Sequence, residues 1–177
     1  MDPTLAQSAA KTIAASLDTL DPAGKAKRAA ALRTLDRQLT VLDRQTQTCL
    51  ASVPAARRKI VTDHDAAGAY AARYGLTVVG TISPGADPEA APSAQRVAEL
   101  ETTMRREGVT ALFPIAPHGS ALSKTIAARG GAVLGEPLWA DALPPVKPTL
   151  QTAAKLNGRS VAQALGAAAS ACKPLVG

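Results

Sequence analysis

The chain has 177 residues, a mass of 18.0 kDa and a net charge of +6, with 46% apolar and only 2% aromatic residues. A core of Ala, Val, Leu and Ile is affordable, disorder is excluded by the apolar fraction and mixed charge, and no apolar run approaches the ~18 residues of a membrane span. The pI near 9.7 invites nucleic acid, but the 20 Lys and Arg are spread along the chain and one Trp, two Tyr and one Phe leave little to stack on bases, so no nucleic-acid partner is expected.

Leu5, Ile13, Leu17 and Leu20 recur at helical spacing, and Asp21-Pro22-Ala23-Gly24 then breaks the pattern. From Lys25 to Leu50 the stripe Leu32, Leu35, Leu39, Leu42 predicts an amphipathic helix of about seven turns, with Arg and Asp at the other positions. After Pro54 the pattern changes to short apolar runs separated by helices. Strands are predicted at Lys59–Thr62, Leu76–Ile82, Val109–Phe113 and Ala132–Leu134. Helices are predicted at Ala66–Tyr74, Ser93–Glu107 with Ser93 as N-cap, Ser120–Arg129, and Leu150–Ala171. Such alternation implies right-handed βαβ units and a four-stranded parallel sheet flanked by helices, preceded by a long N-terminal helix.

In an open parallel sheet, ligands bind beyond the carboxyl ends of the strands. Two segments with strong ligand types fall there: Thr62-Asp63-His64-Asp65-Ala66 and Leu138-Trp139-Ala140-Asp141-Ala142. Imidazole with carboxylate suits a zinc-, manganese- or iron-class metal, although a closed site needs about four ligands. Asp65 reads equally as a helix N-cap and Asp141 as a turn former. No nucleophile elbow, phosphate-binding loop or dinucleotide turn accompanies them. Cys49 and Cys172 lack CxxC spacing and read as buried thiols or as one disulfide. His118, after two prolines, reads as a solvated loop histidine.

The run HDAAGAYAARYGLTVVGTISPGADPEAAPS, starting at His64, carries a resemblance. It is similar to the "HDAFGYFAKRYGL…VGTISPGAEPS" pattern of the substrate-binding proteins of zinc and manganese ABC importers. Glu107 to Phe113 resembles the strand before that family's "FAEPQ" loop, Leu122 to Ala127 the helix after it, Leu138 to Leu143 the segment with its last ligand aspartate, and Leu156-Asn157-Gly158-Arg159 the start of its final helix. The resemblance implies two α/β lobes joined by a long helix, with a metal between them held by four ligands. Carried over by motif, His64 is the third ligand and Asp141 the fourth. Residues 1–54 would be linker helices and 55–177 the C-terminal metal-receptor lobe.

Two departures qualify what the resemblance implies. The family's "DPHVWLDP" motif is matched only at its end, by Asp2-Pro3, so the N-terminal lobe and two histidine ligands are expected to be absent. Ile115-Ala116-Pro117-His118 stands where the family has Glu-Pro-Gln. The expectation is a non-enzymatic fragment of an extracytoplasmic receptor, periplasmic or lipoprotein-anchored when intact, that captures Zn or Mn for an ABC permease. The fragment itself would need no cofactor and bind metal weakly. In that setting a Cys49–Cys172 disulfide is expected, and a dimer through the exposed N-terminal helix is conceivable. Two rival readings remain: a stand-alone α/β interaction module without metal binding, and a hydrolase using Asp63, His64 and Asp65.

Overall fold

The computed structural model describes residues 2–83, 92–117 and 121–176. Helix α1 spans Pro3–Leu20. Asp2 caps it, its carboxylate accepting from the Thr4 backbone N–H at 2.8 Å, and Pro3 opens the first turn, where a missing N–H costs nothing. The helical period is as predicted, but the packed face is not the leucine face. Pro3, Thr4, Ala6, Gln7, Ala10, Ala14 and Asp18 are the covered positions. Leu5, Ile13, Leu17 and Leu20 are 57%, 59%, 42% and 80% exposed. Small residues let α1 lie close to its neighbour, and polar side chains fasten it: Gln7 donates to the Asp36 carbonyl at 3.0 Å and Arg28 to Asp18 at 2.8 Å.

A short 3-10 turn over Pro22–Gly24 reverses the chain, with the Asp21 carboxylate accepting from Gly24 N–H at 3.2 Å. Helix α2 then runs over Lys25–Ala51, 27 residues or about 40 Å. Its first half is largely solvated. Its second half enters the core through Leu39, Leu42, Cys49 and Leu50. The Arg58 guanidinium closes the end of α2 by donating to the carbonyls of Leu50 and Ala51 in its last turn.

The predicted sheet is present. Strands β1 (Lys59–His64), β2 (Thr77–Ser83), β3 (Ala111–Phe113) and, after the short β4 (Ile115–Ala116), β5 (Val133–Leu134) form the sheet: β1, β2, β3 and β5 are all parallel and lie in the order β2-β1-β3-β5. Alternate side chains go to opposite faces. Ile60, Ala111 and Phe113 face a layer made by α2, α3 (Gly68–Tyr74), α6 (Leu150–Leu165) and α7 (Ala169–Val176). Val61 and Leu112 face α4 (Ala94–Glu107) and α5 (Ala121–Gly130). The molecule is therefore three layers with the parallel sheet in the middle. Ser93 caps α4 as expected, its hydroxyl accepting from Arg96 N–H at 3.2 Å.

Three expectations require correction. The last predicted helix, Leu150–Ala171, is two helices. Gly166, at φ +69°, takes the left-handed conformation that ends α6, and a side chain there would meet the Arg57 guanidinium. Two strands of two residues each, β4 (Ile115–Ala116) and β6 (Leu138–Trp139), pair in parallel beside the main sheet and were not expected. Asp65 does not cap α3, which begins after Ala67 without a side-chain cap. Cys49 and Cys172 form a disulfide joining α2 to α7 across 123 residues of chain. His118 lies outside the described residues, as does most of the predicted loop from Ser83 to Pro92.

Candidate metal centre

The site is built at the carboxyl ends of β1, β4 and β6. Strand β1 delivers Thr62, Asp63 and His64. The Thr62 hydroxyl donates to the His64 carbonyl at 2.8 Å and the Ala66 N–H donates to the same carbonyl at 3.0 Å. These bonds turn the chain sharply after His64. Strand β6 ends at Trp139, and Asp141 follows two residues later.

The Trp139 peptide is held from behind. Buried Asn157 on α6 accepts from Trp139 N–H at 2.7 Å and donates to the Trp139 carbonyl at 3.0 Å. Ser160, one turn further on, donates to the Glu136 carbonyl at 2.6 Å. The strand end leading to Asp141 is thus fixed to the rigid face of a helix. Trp139, Ala140 and Ala142 also line a cleft with Asp2 and Leu39, which puts the start of α1 beside this segment.

His64 and Asp141, 77 residues apart, meet: Nε2 lies 2.7 Å from the Asp141 carboxylate. The imidazole is 12% exposed and Asp141 is 50% exposed. The other ring nitrogen, Nδ1, lies 3.0 Å from Asp63, whose carboxylate also accepts the backbone N–H of His64 at 2.8 Å and of Ile115 at 2.9 Å. Burial pushes the Asp63 carboxyl above its ordinary value, while the bond from Ile115 and the neighbouring His64 pull it back.

Of the three residues in the hydrolase reading, Asp63 and His64 are bonded to each other and Asp65 is exposed in the turn that follows. Among the described residues, no group of three or more His, Cys, Asp or Glu side chains is arranged to hold a metal ion. The pair His64 and Asp141 can supply one imidazole nitrogen and one carboxylate to a divalent cation, and other donors must complete its shell. Sequence reasoning missed Asn157 as a part of this site. Its signal was an amide at i+4 from Ala153 on a helix face that is otherwise apolar but for Ser160.

A family model described as ZnuA, zinc-uptake complex component A, periplasmic, matches residues 1–164. The zinc-binding protein TroA of Treponema pallidum (strain Nichols) is 35% identical over 112 residues, covering 60% of this chain and 36% of that protein. The solved structure of TroA superposes with a TM-score of 0.77 at 26% identity, over 93% of this chain and 61% of that one. A laminin-binding protein of Streptococcus agalactiae, described as bifunctional with adhesin and metal transporting activity, has a TM-score of 0.77 at 26% identity, over 93% and 62%. A Mn-bound periplasmic metal-binding protein of Candidatus Liberibacter asiaticus has a TM-score of 0.82 at 19% identity, over 93% and 62%, a likeness of fold. The chain spans about a third of the length of the curated relative and less than two thirds of these solved neighbours.

Proposed function

This chain belongs to the ZnuA family of periplasmic zinc-uptake components, and from that premise we propose that it supplies the C-terminal half of a receptor that captures Zn²⁺ or Mn²⁺ for an ABC permease. Residues 1–54 serve as backbone helices and 55–177 as the metal-receptor lobe. His64 and Asp141 are the two ligands this chain contributes. The remaining ligands belong to an N-terminal lobe of the kind the longer relatives have room for. The protein acts outside the cytoplasm and its task is capture and delivery, with no chemistry done on a substrate.

The observation that supports this reading best is the 2.7 Å approach of His64 Nε2 to the Asp141 carboxylate at the carboxyl ends of parallel strands. An imidazole with a carboxylate and no thiolate suits zinc and manganese alike. A tetrahedral zinc with ligand bonds near 2.1 Å sets its donor atoms roughly 3.4 Å apart. Cation entry therefore has to open the pair by about 0.7 Å. Asp141, half exposed, is the partner free to move.

With two ligands of the usual four, binding is weak. Calorimetric titration of the chain with Zn²⁺ is expected to give saturable binding only at high metal concentration, lost in His64→Ala and in Asp141→Ala. Near-stoichiometric zinc is expected to leave the melting temperature almost unchanged. A shift of many degrees at stoichiometric zinc that vanishes in His64→Ala would overturn the weak-binding statement. Binding that is unchanged in both variants would overturn the site. A second reading, an interaction module acting through α1, is favoured by its exposed Leu5, Ile13, Leu17 and Leu20. The same titration separates the two, because the module has no His64-dependent zinc binding.

A further inference from the structure

Building on the metal-receptor reading, we propose that Asp63 is the positioning residue of the site: it holds the His64 ring through Nδ1, so that Nε2 is the nitrogen presented to Asp141 and to the incoming cation. The carboxylate is 16% exposed and every contact it makes is with a donor. One oxygen accepts from His64 N–H at 2.8 Å and lies 3.0 Å from His64 Nδ1. The other accepts from Ile115 N–H at 2.9 Å.

A neutral imidazole has one donor and one acceptor nitrogen, and the partner of the first fixes the role of the second. The carboxylate of Asp63, 3.0 Å from Nδ1, is placed to accept from Nδ1–H whenever Nε2 binds a cation. Nε2 lies 2.7 Å from a second carboxylate, on Asp141, a contact that needs a proton between the two atoms until a cation displaces it and opens the pair. A hydrogen bond donated by the outer N–H of a ligating histidine to a carboxylate also makes the imidazole a stronger donor to metal, and its loss typically weakens binding 10–100-fold.

The anchor on Ile115 matters as much as the bond to the ring. Ile115 begins β4, β4 pairs with β6, and β6 leads to Asp141. Asp63 therefore ties the ring on one side of the site to the strand pair that carries the ligand on the other. The angle of the ring and the position of Asp141 are set by one short run of backbone.

The test uses ¹⁵N-labelled full chain at pH 8, where an ordinary imidazole is neutral. With Zn²⁺ or Cd²⁺ added, long-range ¹H–¹⁵N spectra are expected to show His64 protonated at Nδ1 and bound to metal through Nε2. Asp63→Asn keeps the size of the side chain but cannot accept from both Ile115 N–H and the ring. It is expected to weaken Zn²⁺ binding tenfold or more, with the fold retained. Metal on Nδ1, or unchanged zinc binding in Asp63→Asn, overturns the proposal and leaves the metal-receptor reading standing. If zinc moves neither ring nitrogen in the wild type, that parent reading fails and takes this one with it. Should Asp63→Asn not fold, the ring nitrogen that metal takes in the wild type decides alone.

Discussion

Asp43 lies on α2 and is buried, although the leucine periodicity of that helix assigned its Arg and Asp residues to the outer face. Arg73 donates to it through Nε at 2.6 Å and through a second guanidinium nitrogen, and the Tyr74 hydroxyl donates at 2.9 Å. Asp2, at the cap of α1, lies 3.5 Å from the same guanidinium. The bonds from Arg73 hold the Asp43 carboxyl below the usual carboxylate range. Between its folded value and the ordinary value near 3.9, the unfolded chain binds more protons, so stability rises with pH there. The contribution is complete above about pH 4 and is lost as the pH falls through the folded value. Asp43→Asn is expected to cost about 2 kcal/mol at pH 7, a discount from a fully buried pair because Arg73 is partly solvated. The gap to wild type should close in acid. Thermal unfolding of both proteins from pH 7 to pH 2.5 checks this, and a gap that persists in acid contradicts it. The sequence could not display this network, because its members sit at positions 2, 43, 73 and 74 and only tertiary packing joins them. The proposed metal pair is different. Two ligand types 77 residues apart carry almost no signal by spacing, and His64 and Asp141 stood out because the motif around each resembled a known pattern.

Helix α6 shows how one element sets the position of another. Its buried face consists of Ala153, Val161, Ala164 and Leu165, interrupted by Asn157 and Ser160. Those two polar residues satisfy the backbone of segment 136–139, where β6 has only two residues and few ladder bonds of its own. Asn157→Leu keeps a similar volume but leaves the half-buried Trp139 N–H and carbonyl without their partner. Its cost is expected to be about 2–3 kcal/mol, with Ser160→Ala nearer 1 kcal/mol. The urea midpoint should fall with an unchanged slope. A loss under 0.5 kcal/mol for Asn157→Leu would show that water or another group can replace the clamp. The same dependence explains why β4 and β6 were illegible in the sequence. A two-residue strand has no period, and these two exist through bonds to Pro114, Asp63 and Asn157 that lie elsewhere in the chain. The longer strands β1 and β2 were legible because both their faces are covered and they read as apolar runs. In α1 the period was legible and the face was not. Packing through Ala and Gln leaves no hydrophobic mark, so the leucines drew attention to the wrong side.

At the scale of the whole molecule, the long helix and the end of the chain are held together twice. Leu50 and Leu175 share the core on one face of the sheet, and Cys49–Cys172 joins α2 to α7 covalently beside them. The bridge closes a loop of 123 residues, so it removes much of the freedom of the unfolded chain. Native disulfides of this kind contribute about 2–5 kcal/mol. Such a bond persists in an oxidising compartment, which matches a family described as periplasmic. Because α7 also packs through apolar contacts, reduction is expected to destabilise the protein without unfolding it. Replacing both cysteines by Ala avoids burying a hydroxyl and should lower stability by about 3–4 kcal/mol, or roughly 10 °C in Tm. The loss should not be spread evenly. Amide exchange in α7 is expected to rise first, since this helix has only 8 residues with Pro174 inside it, while β1 at the centre of the sheet keeps its protection. Thiol titration of denatured, unreduced protein should find no free cysteine. Two free thiols per chain, or a double variant as stable as the wild type, would mean that the apolar contacts of α7 suffice by themselves.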